Sequence, residues 1–166
     1  MSTASAISKV KFLSSLPYLK LSVHDLVDFL LRAGDIDSRV YNQETMQMGS
    51  KLHAAYQEKQ GNEYLAEYPL SGEIKADNGV VAVQGRADGI IVGGPFPIID
   101  EIKSTVMKLD DFFAEQKEWH LGQALCYAYL FLKEHKSKEI GIQLTYLSQI
   151  HSDERASHSF RFTREE

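Results

Sequence analysis

Apolar residues recur along this chain with two periods, and the switch between them divides it into elements. Val23, Leu26, Val27, Leu30 and Leu31 fall at i, i+3, i+4, i+7 and i+8 behind Ser22, which predicts a short amphipathic helix capped by the Ser22 hydroxyl and stopped by Gly34. Residues 1–20 show no clear period and include Ser14, Ser15 and Pro17; they read as a flexible lead, leaving one domain over 21–166. Met48, Leu52, Ala55 and Tyr56 repeat the helical spacing and predict a second helix over about 44–59, closed by Gly61. The period then shortens. Residues 64–74 alternate loosely, Asp77-Asn78-Gly79 forms a turn signal, and residues 80–83 resume the alternation. Residues 85–92 read as the next strand, Gly93-Gly94-Pro95 turns the chain, and 97–102 is a compact apolar run suited to a buried strand. A long helix follows over about 110–136, then a strand over 140–147 with 157–162 expected to pair beside it. This order, without internal repeat or low-complexity segment, implies an α/β sandwich with a central mixed sheet flanked by helices rather than a doubly wound nucleotide fold.

Composition narrows the class. A chain of 166 residues, 43% hydrophobic and 25% charged, is long enough for one domain with a real core. Cys126 is the single cysteine, so this chain alone supplies no disulfide framework, four-cysteine zinc site or four-cysteine iron–sulfur cluster, and a reducing compartment is expected. No apolar run approaches the roughly 20 residues of a spanning helix, and residues 12–16 are too short for a signal peptide core. The expectation is a soluble, cytoplasmic protein with no membrane partner. A net charge of -5 argues against a nonspecific nucleic-acid coat. It leaves a nuclease open, because carboxylates that hold divalent cations lower the net charge while the bound ions restore positive charge where phosphate approaches.

The chemistry concentrates in Gly85-Arg86-Ala87-Asp88-Gly89-Ile90-Ile91 and, after the turn, Ile98-Ile99-Asp100-Glu101-Ile102-Lys103. Strand side chains alternate, so Glu101 and Lys103 share a face and Ile102 points away; in a hairpin Asp88 joins them. Charges at the ends of apolar strands are costly unless paired or bound to metal. Hard oxygen ligands suit Mg²⁺ or Mn²⁺, and metal-assisted phosphodiester hydrolysis follows as the expected reaction, with Lys103 orienting the attacking water or offsetting developing charge.

Asp88 followed by Glu101-Ile102-Lys103 resembles the D…(D/E)xK core of the PD-(D/E)xK nuclease superfamily. Gly49-Ser50-Lys51-Leu52-His53 is similar to the GxxxH helix of its RecB-like branch, and Gln123-Ala124-Leu125-Cys126-Tyr127 to that branch's QxxxY motif on the long helix. The resemblance spans roughly 22–150. It implies a restriction-endonuclease-like core and a Mg²⁺ or Mn²⁺ site formed by His53, Asp88, Glu101 and the backbone carbonyl of Ile102. Gln123 and Tyr127 would steady the DNA strand or the lysine. The stretches 21–29 and 32–37, with Gln143-Leu144-Thr145-Tyr146, also resemble the nuclease module preceding DinG-like superfamily 2 helicases. That implies a module of a larger DNA-repair enzyme whose helicase motor is fused or recruited, acting on DNA that is single-stranded or has free ends, as an exonuclease would. With Cys126 alone, the iron–sulfur cluster of one branch is not expected.

More ordinary readings exist for the same residues. Glu101 and Lys103 form an ion pair on many strand edges, Asp88 fits a turn before Gly89, and His53 on an apolar stripe fits a core. His120 is expected at a solvated helix position, Glu67 as an exposed strand carboxylate, and Asp110-Asp111 as the cap of the long helix. Arg86 fits the DNA backbone or a neighbouring acid equally, and alternation sends Asp100 away from Glu101. Pro97-Ile98-Ile99-Asp100-Glu101 looks superficially like a Walker B strand, but no GxxxxGK[ST] loop occurs, and no Gly-x-Ser-x-Gly elbow supports a serine hydrolase. A catalytically inactive nuclease fold retained as a DNA-binding or helicase-docking module is the alternative to an enzyme.

Overall fold

The computed structural model describes residues 17–31 and 43–165. Its elements are β1 (Tyr18–Ser22), α1 (Val23–Leu31), α2 (Gln43–Glu58), β2 (Tyr64–Ala76), β3 (Gly79–Ile91), β4 (Ile98–Thr105), α3 (Leu109–Glu134), β5 (Glu139–Ser148) and β6 (Arg155–Thr163). The fold is α/β, a mixed six-stranded sheet flanked by helices, as in a restriction-endonuclease-like core. β1 pairs with β3 and β4 with β5 in parallel, whereas β2 with β3, β3 with β4, and β5 with β6 are antiparallel. Among the described residues no helix is long and apolar enough to cross a membrane.

Three differences from the sequence pattern matter. Tyr18–Ser22, whose first residues the pattern assigned to the lead, is a strand beside Val80–Gln84; two-residue alternation over so short a span gives little signal. Residues 80–83 and 85–92, read as separate strands, belong to one 13-residue strand, because β2 pairs along its length and carries it past Gly85. Asp110 and Asp111 lie inside the first turn of α3, with Lys108 at the N-cap and no side-chain cap bond, so they complement the helix dipole rather than cap the helix. The Ser22 cap is present, its Oγ accepting from the Asp25 amide at 2.9 Å. The proposed stop at Gly34 lies outside the described residues.

The sheet has a split that decides where polar chemistry can sit. β2 occupies one edge of β3 from Gly79 to Ile91, so β1 and β4 must share the other, β1 along Val80–Gln84 and β4 only along Gly89–Ile91. Between them, residues 85–88 of β3 have no strand neighbour on that side among the described residues. α3 covers the face carrying Ile99, Ile142, Leu144 and Tyr146, all fully buried, and α1 packs on α3 and β3. α2 lies over the opposite face of β4, where Gly49 approaches so closely that a Cβ there would stand 2.9 Å from Ser104 Oγ. The glycine of the GxxxH stretch thus lets the helix carrying His53 settle onto the strand carrying Glu101.

Candidate active site

The carboxylates and the lysine come together at the split. Beyond the Gly89↔Asp100 pair the β3–β4 ladder ends, and the Asp88 side chain takes over, its Oδ2 accepting from the Ile102 amide at 2.8 Å. The amide and carbonyl of one strand residue point to the same side, so the Ile102 carbonyl also faces the gap while its side chain is buried. Glu101 is 3% exposed and stands one residue away on the α3 face. Its Oε1 accepts from Lys103 Nζ at 2.6 Å, and its Oε2 is buried with no hydrogen-bond partner. Burial pushes the Glu101 carboxyl up to about 7, Lys103 opposing the rise and Asp88 adding to it.

His53 enters from α2. Burial pushes its pKa below 6.5 against the pull of Asp88 and Glu67, with Lys103 pushing the same way as burial, so at neutral pH it is an uncharged imidazole able to offer a lone pair. Gln57, one turn further on, donates to the Asp88 carbonyl at 2.8 Å and to Glu67 Oε1 at 3.0 Å. Glu67 is an exposed strand carboxylate, as expected, with an unusual backbone. It has φ of 54°, in the left-handed region, where the β2–β3 ladder passes from Ala66↔Gly89 to Tyr68↔Ala87. That conformation costs a non-glycine residue on the order of 1 kcal/mol and is held by Gln57 and by Arg86, whose Nε lies 2.6 Å from Glu67 Oε2. Of the two readings of Arg86, the structure shows the neighbouring acid.

From the other side, α3 contributes Tyr127 and Gln123. Tyr127 packs over Gly85, and burial together with Glu101 and Asp88 raises its pKa, so it stays a neutral phenol. Gln123, one turn earlier, is 6% exposed with an unpartnered Oε1. His120 overturns its sequence expectation: it is 6% exposed rather than solvated, and its Nδ1 lies 3.0 Å from the Tyr146 hydroxyl. Tyr146 is in register with Lys103, and after burial its raised pKa reflects Glu101. Nothing in the sequence marked Tyr146 as polar lining, because it continues the apolar alternation of Ile142 and Leu144.

These donors are of the chemical kind that hold a hard divalent cation. One Glu101 oxygen is committed to Lys103 and the other is buried without a partner, while the charge of Asp88 acts both on Glu101 and on the neutral His53. Among the described residues no group of three or more His, Cys, Asp or Glu is placed to hold a metal ion, so His53, Asp88 and Glu101 do not form a ready three-ligand site; Mg²⁺ is commonly held by one or two carboxylates with water and substrate phosphate. The raised Glu101 pKa has a sign that can be checked. Its contribution to folding stability is fully present below 4.5, the value of an unperturbed carboxyl, and is lost as pH rises through about 7. The difference in metal-free unfolding free energy between wild type and Glu101→Gln, followed by urea titration, should therefore fall across that window; a flat difference would contradict the assigned burial.

The chain matches no family model and no curated protein. Among solved structures it is similar to the crystal structure of SSO0001, with a TM-score of 0.55 and 22% sequence identity over 96% of this chain and 77% of that one. The likeness concerns the fold.

Proposed function

We propose that this chain is a metal-dependent deoxyribonuclease domain of the RecB-like PD-(D/E)xK type, a module of a larger DNA-repair or helicase–nuclease protein. The observation that carries the reading is the pairing of Glu101 with Lys103 beside an unpartnered, buried Glu101 oxygen, at the point where Asp88 crosses the split. His53, Asp88, Glu101 and the Ile102 carbonyl would hold Mg²⁺ or Mn²⁺. When bound, the ion polarises the phosphoryl oxygen, lowers the pKa of water and stabilises the leaving oxygen. Lys103 orients the attacking water or offsets charge that develops on phosphorus, while Gln123 and Tyr127 hold the strand or the lysine. The water oxygen forms a bond to phosphorus, one ester P–O bond breaks, and an alcohol and a phosphate monoester leave.

Labelled linear and circular single-stranded DNA with Mn²⁺ test the reading. The wild type is expected to cut the linear strand; cutting of the circle identifies endonuclease action, and its survival identifies exonuclease action. A chain that leaves both intact, and whose Mn²⁺ binding heat does not change on Asp88→Ala, is a docking module instead.

A further inference from the structure

Asp100 is 0% exposed, yet it carries a carboxylate where its neighbours on the same strand face, Ile98 and Ile102, are apolar. A buried carboxylate is costly unless its oxygens are saturated with donors. Here they are. Oδ1 accepts from Thr145 Oγ1 at 2.6 Å and from Gln143 Nε2 at 3.2 Å, both on β5, and Oδ2 accepts from the Tyr64 hydroxyl of β2 at 3.0 Å. Tyr56, from α2, lies beside Asp100 and Thr145, and its ring meets the Tyr64 ring edge-on at 6.5 Å. One side chain thus joins two strands and a helix to β4.

Its position gives the network a use. Asp100 belongs to the last β3–β4 pair before the ladder ends, and the next residue is Glu101. Because successive side chains point to opposite faces, fixing Asp100 against β5 and α2 fixes the direction in which Glu101 leaves the other face. Tyr56 lies three residues beyond His53 on α2, so the same carboxylate anchors the helix that presents the imidazole. We propose that Asp100 is a positioning residue, whose network through Tyr56, Tyr64, Gln143 and Thr145 sets His53 against Asp88 and Glu101. The proposal rests on the metal-dependent reading given above only for what the alignment serves.

Two readouts keep these apart: the His53 imidazole resonances of the metal-free protein, with exposed His151 as internal reference, and Mn²⁺ affinity by calorimetry. Tyr56→Phe keeps the ring and removes one hydroxyl. It is expected to move the His53 signals, leave those of His151 in place, and weaken Mn²⁺ binding about tenfold, the loss typical when a partner of a metal ligand is removed. Asp100→Leu should do the same, whereas Asp100→Asn, which keeps Oδ1 for Thr145 and offers an N–H to Tyr64, should restore both readouts to within about twofold of wild type, since most of the supporting bonds survive. His53 signals unmoved by Tyr56→Phe overturn the proposal, including where Asp100→Leu fails to fold. If the signals move but the wild type binds no Mn²⁺, the positioning stands and the nuclease reading falls.

Discussion

Lys103→Ala is expected to lower single-turnover cleavage of labelled DNA by about 10²–10³-fold, the scale on which losing one preorganised electrostatic group acts. Two losses combine. On the proposed reading the variant lacks the cation beside the phosphate, and Glu101, already held at about 7 despite its lysine, loses the hydrogen bond that favours its charged form. Its carboxyl then rises further and is protonated at neutral pH, so the variant should also bind Mn²⁺ more weakly. Protonation spares the fold an unpaired buried charge, and the thermal midpoint should stay close to wild type. Undiminished cleavage by Lys103→Ala would remove the site from the chemistry altogether.

The second large effect concerns Gly89. A Cβ at this position would stand 1.9 Å from the Tyr64 hydroxyl and 2.0 Å from its ring carbon, so the alanine variant must expel a ring packed beneath β3. The ring cannot simply swing aside, since its hydroxyl is bonded to Asp100 and Tyr56 meets its face edge-on at 6.5 Å. Overpacking together with a lost buried hydrogen bond should cost Gly89→Ala about 3 kcal/mol, seen as a lower urea midpoint with unchanged slope. A loss below about 0.5 kcal/mol, the range of ordinary surface changes, would contradict the close approach. Asp88-Gly89 therefore reads in two ways at once: the acid serves the gap, and the glycine admits the ring that steadies Asp100.

How much of this was legible in the residues follows from the physics of each signal. Helical stripes and strand runs marked α1, α2, α3, β4, β5 and β6 to within a few residues, because burial of one face imposes a period on sequence. The same alternation placed Glu101 and Lys103 together and turned Asp100 away, as observed. Long-range pairing leaves no such trace. Nothing local distinguishes β1 from a lead or announces that β1 and β4 share one edge of β3, yet that sharing opens the gap at Asp88. His120 was read as solvated because a lone polar ring on a helix gives no sign of a buried partner, and Tyr146 continued an apolar alternation; only the fold brings the two together. The left-handed φ of Glu67 gave no warning either, since its side-chain partners Gln57 and Arg86 lie on other elements.

The split has a mechanical consequence. β1, β2 and β3 make one half of the sheet and β4, β5 and β6 the other, and among the described residues strand pairing crosses between them only at Gly89↔Asp100, Ile90↔Ile99 and Ile91↔Ile98. Asp88 belongs to the first half and Glu101 to the second, so their separation gauges any shear across this isthmus. A cation gripped by both would act as a clasp, resisting that shear and making the protein stiffer and harder to melt as it loads.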